Sequence, residues 1–262
     1  MMDNGVLSKN LVNWKLLFIL FIACVISSML VIPYSLALTS NEVQITPIMW
    51  FLSIVQNIIL FALATFFGLL LSKPIGMGSP ILQRLLERKN QAKELKALLL
   101  PSICLGLLAG ILIVLLDIIF KRFIPELSSV EVSSPAVWKA FLASFYGGIA
   151  EEVLLRLFLL SLFVWITFKI KKNKDGNPTV FGVWLSIFFA AIVFGLGHLP
   201  ATSQIMPLSG IVIIRAVVLN GIGGIIFGWL YWKKGLESAM ISHFSADIVL
   251  HIITPLLASF FV

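Results

Sequence analysis

Charge is what this sequence most conspicuously lacks. Only 12% of its 262 residues are Asp, Glu, Lys or Arg, about half the share in a soluble globular domain. A soluble enzyme, a nucleic-acid-binding domain and a disordered chain are all excluded on that ground. Cysteine is nearly absent too. Cys24 and Cys104 stand far apart inside apolar runs, so neither a disulfide framework nor a thiolate metal site can be read from them. There is no His-Glu-x-x-His helix, no Gly-x-Ser-x-Gly elbow and no P-loop, which removes the common zinc-protease, serine-hydrolase and nucleotide-binding signatures. Internal repeats and low-complexity tracts are also missing.

What the chain has instead is apolar length. Hydrophobic residues make up 60% of it, and the mean hydropathy is +1.06. Apolar runs cover about Trp14 to Leu38, Pro47 to Leu71, Ala97 to Phe120, Val137 to Phe168, Thr179 to Leu199, Leu208 to Trp232 and Ser238 to Val262. Each can cross a bilayer core, which takes about 20 residues. The first is too long for a signal-peptide core and lacks a small-residue cleavage site, so it reads as a retained helix. The expected fold is an all-α, polytopic transmembrane helix bundle of seven spanning helices, or eight if the last run breaks at Pro255.

The net charge of +7 follows from topology rather than from a nucleic-acid partner. Lys9 and Lys15 precede the first run. Lys73, Arg84, Arg88, Lys89, Lys93 and Lys96 fill the second loop, Lys169, Lys171, Lys172 and Lys174 the fourth, and Lys233 and Lys234 the sixth. The opposite side holds only Lys121, Arg122 and Lys139. The positive-inside rule therefore puts the N-terminus in the cytoplasm, and an odd number of crossings puts the C-terminus outside. Within the second loop, Ile81, Leu82, Leu85 and Leu86 recur at helical spacing among basic residues. The stretch 80–96 reads as an amphipathic helix on the anionic cytoplasmic leaflet. The chain divides into 1–136, holding three spans and this segment, and 137–262, holding the remaining spans and the chemistry.

Ionisable side chains in hydrocarbon cost several kcal/mol unless they face protein or a wet cavity, so they are functional candidates. Here they cluster: Glu151, Glu152 and Arg156 in the fourth run, His198 at the end of the fifth, Arg215 in the sixth, and His243, Asp247 and His251 in the seventh. All three histidines of the chain are among them. Glu152 and Arg156, four apart, share a helix face with the glutamate N-terminal, the favourable order. Glu151 points about 100° away. One carboxylate is thus held against an arginine while its neighbour is free to act as a general base. Phe194 lies one turn before His198 and can pack on the imidazole, and Pro200 ends that helix. His243 and Asp247, at i and i+4, share a face, so the aspartate can orient the imidazole. His251 continues that face nearer the outer end, where a bland packing role is expected. Two chemistries fit these groups. A carboxylate and an imidazole could activate water, with the second His and Asp stabilising an oxyanion. Alternatively, Glu151, His198 and His243 could hold zinc or another divalent metal with an open position for water. Both lead to hydrolysis.

Glu151-Glu152-x-x-x-Arg156, Phe194-x-x-x-His198 and His243-x-x-x-Asp247, in that order and each within an apolar helix, resemble the three motifs of the CAAX-protease and bacteriocin-processing (Abi) family of intramembrane endopeptidases, whose eukaryotic relatives are the type II CAAX prenyl endopeptidases. The segment Phe227 to Gly235 resembles the stretch before that family's last motif, and the likeness covers roughly residues 137 to 251. It implies that Glu151 is the catalytic glutamate assisted by His198, that His243 and Asp247 complete the site, and that Glu152, Arg156 and Phe194 support it. The third motif ends in Asp247 where the family often has Asn; an ionised Asp cannot donate to an oxyanion, so it would be protonated, a ligand or an orienting group. The implied substrate is a peptide or membrane-anchored protein, the implied setting the cell membrane of a bacterium, and the other partner the lipid bilayer; no nucleic acid is expected. Two rivals stand beside this reading: a non-catalytic immunity or scaffold protein that keeps the fold, and a proton-coupled transporter using the same buried groups as a relay.

One geometric difficulty follows from the sequence. Glu151 lies about 27 Å of helix from its cytoplasmic loop and His243 only about 12 Å. If they meet, the fourth helix must protrude, kink or tilt.

Overall fold

The computed structural model describes residues 12–38, 46–124 and 135–259; Lys9 and the last residues of the seventh run, 260–262, lie outside them. Among the described residues, seven helices are long and apolar enough to cross a membrane: Trp14–Leu38, Pro47–Ile75, Ala92–Lys121, Val137–Ile170, Val180–Ser203, Gly210–Lys234 and Leu236–Ser259. They are the first to seventh spans below. Among the described residues there is no β-strand, only an isolated bridge between Lys172 and Pro178 that closes the turn before the fifth span. The fold is an all-α membrane bundle, and the protein is a multi-pass membrane protein.

Local chemistry sets the ends of these helices. Asn13 and Thr46 accept from the amides of Leu16 and Met49, and Thr179 from that of Gly182, capping the first, second and fifth spans. Pro47 sits at the first helical turn, where its missing N–H costs nothing. The last span runs through Pro255 unbroken. A π-helical turn over Ile248–Ile253 precedes the proline, and the Thr254 hydroxyl donates to the Val249 carbonyl, so a side-chain bond reinforces the wider turn there.

The stretch expected as a single amphipathic helix is divided. Pro80–Leu86 is a short helix, Arg88 takes a left-handed φ of 59°, and Ala92 begins the third span. The Asn90 side chain accepts from the Ala92 amide and starts that span afresh. Nor does the short helix lie loose on the bundle: Ile81 is buried, and Glu237 Oε1 accepts from Ser79 Oγ at 2.6 Å and from the Leu82 amide at 2.8 Å.

The fourth span lies in the interior. It packs on the first and second spans along one side and on the fifth and seventh along the other, and Ala150, Val153, Leu157 and Leu160 are fully buried in the main core. The sixth and seventh spans are separated only by Gly235, with φ of 95°, a conformation that strains any side chain. A Cβ there would also collide with Pro80.

This tight connection resolves the difficulty of depth. The Leu236 amide donates to Gly78 O at 2.9 Å, and the Tyr231 and Ser161 hydroxyls bond at 2.7 Å. The seventh span therefore begins near the level of Ser161, well past the middle of the fourth. Ser161–Ile170 continues past that level, with Thr167 packed on Gly182 of the fifth span. From the shared level, Glu151 is ten residues back and His243 seven residues on. Protrusion of the fourth span brings them together.

A candidate active site among the fourth, fifth and seventh spans

Two π-helical stretches, Tyr146–Glu151 and Val153–Leu160, shape the fourth span where its charged residues sit. Wider turns of this kind re-aim side chains and recur at functional sites. Glu152 is fully buried and Arg156 nearly so. Arg156 Nη1 lies 2.9 Å from Glu152 Oε1, an ion pair without linear hydrogen-bond geometry. The guanidinium is sandwiched instead by the rings of Phe194 and Phe227, 4.9 and 5.3 Å away, which favour a desolvated cation.

The same Glu152 Oε1 accepts the His243 Nδ1 hydrogen at 2.7 Å. That bond fixes the ring orientation and leaves Nε2 as the working nitrogen. Phe227 stacks on the imidazole at 4.7 Å with the planes 23° apart, and the edge of Phe194 closes from 5.7 Å. His243 Nε2 then faces two carboxylates at equal range: Glu151 Oε2 and Asp247 Oδ1, each at 3.7 Å. Neither distance is a direct hydrogen bond. Both leave room for small shifts or an intervening water.

Gly147 makes this approach of helices possible. A Cβ at that position would collide with Asp247 Oδ2 and lie 3.1 Å from His243 Nε2. His198 stands at the end of the fifth span's long helix. Its Nδ1–H donates to the Phe194 carbonyl at 2.9 Å; a carbonyl can only accept, so the proton position is fixed and Nε2 is the free nitrogen. The Phe194 ring packs edge-on to His198 at 4.8 Å, so one phenylalanine contacts both histidines and the arginine.

Glu151, His198, His243 and Asp247 line one cavity of about 340 Å³. The sequence-derived residues are thus gathered from three spans; Phe194 lines the same cavity, and Glu152 and Arg156 lie behind it. Others in that cavity were not singled out from the sequence: Tyr34, Tyr146, Asn220 and Phe227. A signal for two of them was available. Tyr34 and Tyr146 are two of only three tyrosines in the chain, and polar rarities within apolar runs merit the scrutiny given to the histidines. His251, expected to have a packing role, also lines the cavity. Arg215 does not join it; it pairs with Asp117 at 2.6 Å. As for a metal, no three His, Cys, Asp or Glu groups among the described residues are arranged to hold an ion. His243 Nδ1 is bonded to Glu152, which leaves Nε2 as the ring nitrogen open to a ligand.

Residues 133–249 match the family described as type II CAAX prenyl endopeptidase Rce1-like. Neither a search of curated proteins nor one of solved structures returned a match. The matched region holds all three motifs, so this part of the chain carries a domain of the CAAX-protease kind.

Proposed function

Proceeding from a type II CAAX endopeptidase domain in a membrane bundle, we propose that this protein is an intramembrane endopeptidase that hydrolyses a peptide bond using water activated by side chains alone. Glu151 is the general base. It removes a proton from water as the oxygen attacks the scissile carbonyl carbon. His243, held by Glu152 with Nε2 toward the cavity, orients that water together with Asp247. When the tetrahedral intermediate collapses, the C–N bond breaks and the departing amine takes up a proton. His198, whose free Nε2 can gain and lose one, is placed to relay it. Arg156 pairs with Glu152 and Glu152 keeps His243 aligned; neither touches the substrate. The proposed steps run through no metal, so cleavage is expected to persist under chelator titration with no stoichiometric metal in elemental analysis.

The carrying observation is the placement of Glu151 and Asp247 at equal distance from His243 Nε2 in one cavity. The substrate class is a peptide or membrane-anchored protein whose scissile bond reaches that cavity. The distribution of Lys and Arg supports an N-terminus in the cytoplasm, and the cell membrane is the proposed location. The test uses purified protein and a fluorogenic prenylated CAAX peptide. Glu151→Ala and His198→Ala should each abolish cleavage while the protein stays inserted and folded. Unchanged cleavage in both overturns the assignment, and full biological activity of Glu151→Gln would mark a non-catalytic scaffold instead.

A further inference from the structure

The matched domain ends at residue 249, but the cavity does not. Among the residues outside the match that line it are Tyr34 from the first span and His251 from the seventh. Tyr34 Oη lies 3.1 Å from His251 Nδ1, and the rings meet edge to face at 5.4 Å. On the other side of the imidazole, His251 Nε2 is 3.9 Å from Asp247 Oδ1, the same oxygen that faces His243 Nε2 at 3.7 Å. Asp247 therefore stands between two imidazoles, one held by Glu152 and the other met by Tyr34. An aspartate with two carboxylates nearby, Glu151 and Glu152, needs something that fixes which way it points.

We propose that Tyr34 and His251 are positioning residues for Asp247, with the Tyr34 hydroxyl setting the tautomer of His251. A phenol O–H donating to Nδ1 makes that nitrogen an acceptor, so the ring proton resides on Nε2, on the side of Asp247. The N–H then points at the carboxylate within reach of a small rotation or one bridging water, and Asp247 is held against Gly147. Outer-shell partners of this kind commonly fix the tautomer and orientation of a working group. The first span thereby becomes part of the catalytic apparatus rather than a membrane anchor for it. The inference rests on the proposed role of Asp247.

The chain has three histidines, so imidazole ¹⁵N resonances of histidine-labelled protein can be assigned by single substitutions. In the unaltered protein His251 should show the Nε2–H tautomer; in Tyr34→Phe that preference should be lost. With the fluorogenic prenylated CAAX peptide, Tyr34→Phe should lower kcat roughly three- to tenfold, the scale of one neutral hydrogen bond, with KM little changed. His251→Gln, which keeps an N–H donor, should retain more kcat than His251→Ala. A tautomer indifferent to Tyr34→Phe, or a kcat unaffected by it, overturns the inference. The tautomer is also read in Glu151→Gln protein, where no cleavage is needed, so a failure of the proposed catalysis is told apart from a failure of the Tyr34–His251 pair.

Discussion

Two adjacent glutamates in unlike surroundings stand at the centre of the proposed site. Glu152 is fully buried, and its oxygen serves both Arg156 and His243. Glu151 keeps about a fifth of its side-chain surface open to the cavity. Removing the charge of Glu152 leaves a buried guanidinium without a counter-ion, a change that typically costs about 3–5 kcal/mol. Glu152→Gln should therefore lower the unfolding temperature in detergent markedly, whereas Glu151→Gln should leave it nearly unchanged and remove cleavage. Equal stability of the two variants would contradict the division of roles. That division is legible in the sequence, because i and i+4 spacing ties Glu152 to Arg156 and turns Glu151 away. The carboxylate–imidazole bond behind it is not legible, since it joins residues 91 positions apart and no local pattern encodes such a pairing.

At the scale of the helix, closeness of approach decides whether the site assembles. Gly147 lets the fourth span press against Asp247, and any Cβ there meets the carboxylate. Gly147→Ala should displace Asp247 and His243 by an appreciable fraction of an ångström. Misplacements of about 1 Å can cost about a hundredfold in rate. Cleavage of the peptide probe should thus fall by an order of magnitude or more while helical content by circular dichroism stays unchanged; wild-type cleavage by Gly147→Ala would mean that this contact does not position the site. The sequence shows the Gly-Gly pair but not its partner. It likewise marks the seven apolar runs to within a few residues, because composition alone decides what dissolves in hydrocarbon. It misses the division of 80–96, where the left-handed Arg88 and the Asn90 cap interrupt an otherwise helical pattern. The π-helical turns escape it as well, since they depend on how neighbouring spans pack.

For the whole molecule, the seven spans among the described residues and the basic loops on one side of them predict a topology. The loop at Asp175, between the fourth and fifth spans, should face the cytoplasm. Asp175→Cys, in protein with Cys24 and Cys104 replaced by serine, should react with a membrane-impermeant maleimide in inverted vesicles and stay unlabelled in right-side-out ones; the reverse pattern would invert the orientation. The relative depth of the spans explains why hydropathy alone leaves Glu151 and His243 apart. The connection at Gly235, bonded to the second loop through Leu236 and Gly78, and the Tyr231–Ser161 bond set the start of the seventh span near Ser161 of the fourth. The most direct measurement is hydrolysis of the prenylated CAAX peptide in ¹⁸O-labelled water by purified protein, read by mass spectrometry. Unaltered protein should release a fragment whose new carboxyl terminus carries one ¹⁸O, and folded Glu151→Gln should release none. Equal release of labelled fragment by both would contradict the assignment of Glu151 as the base that activates water.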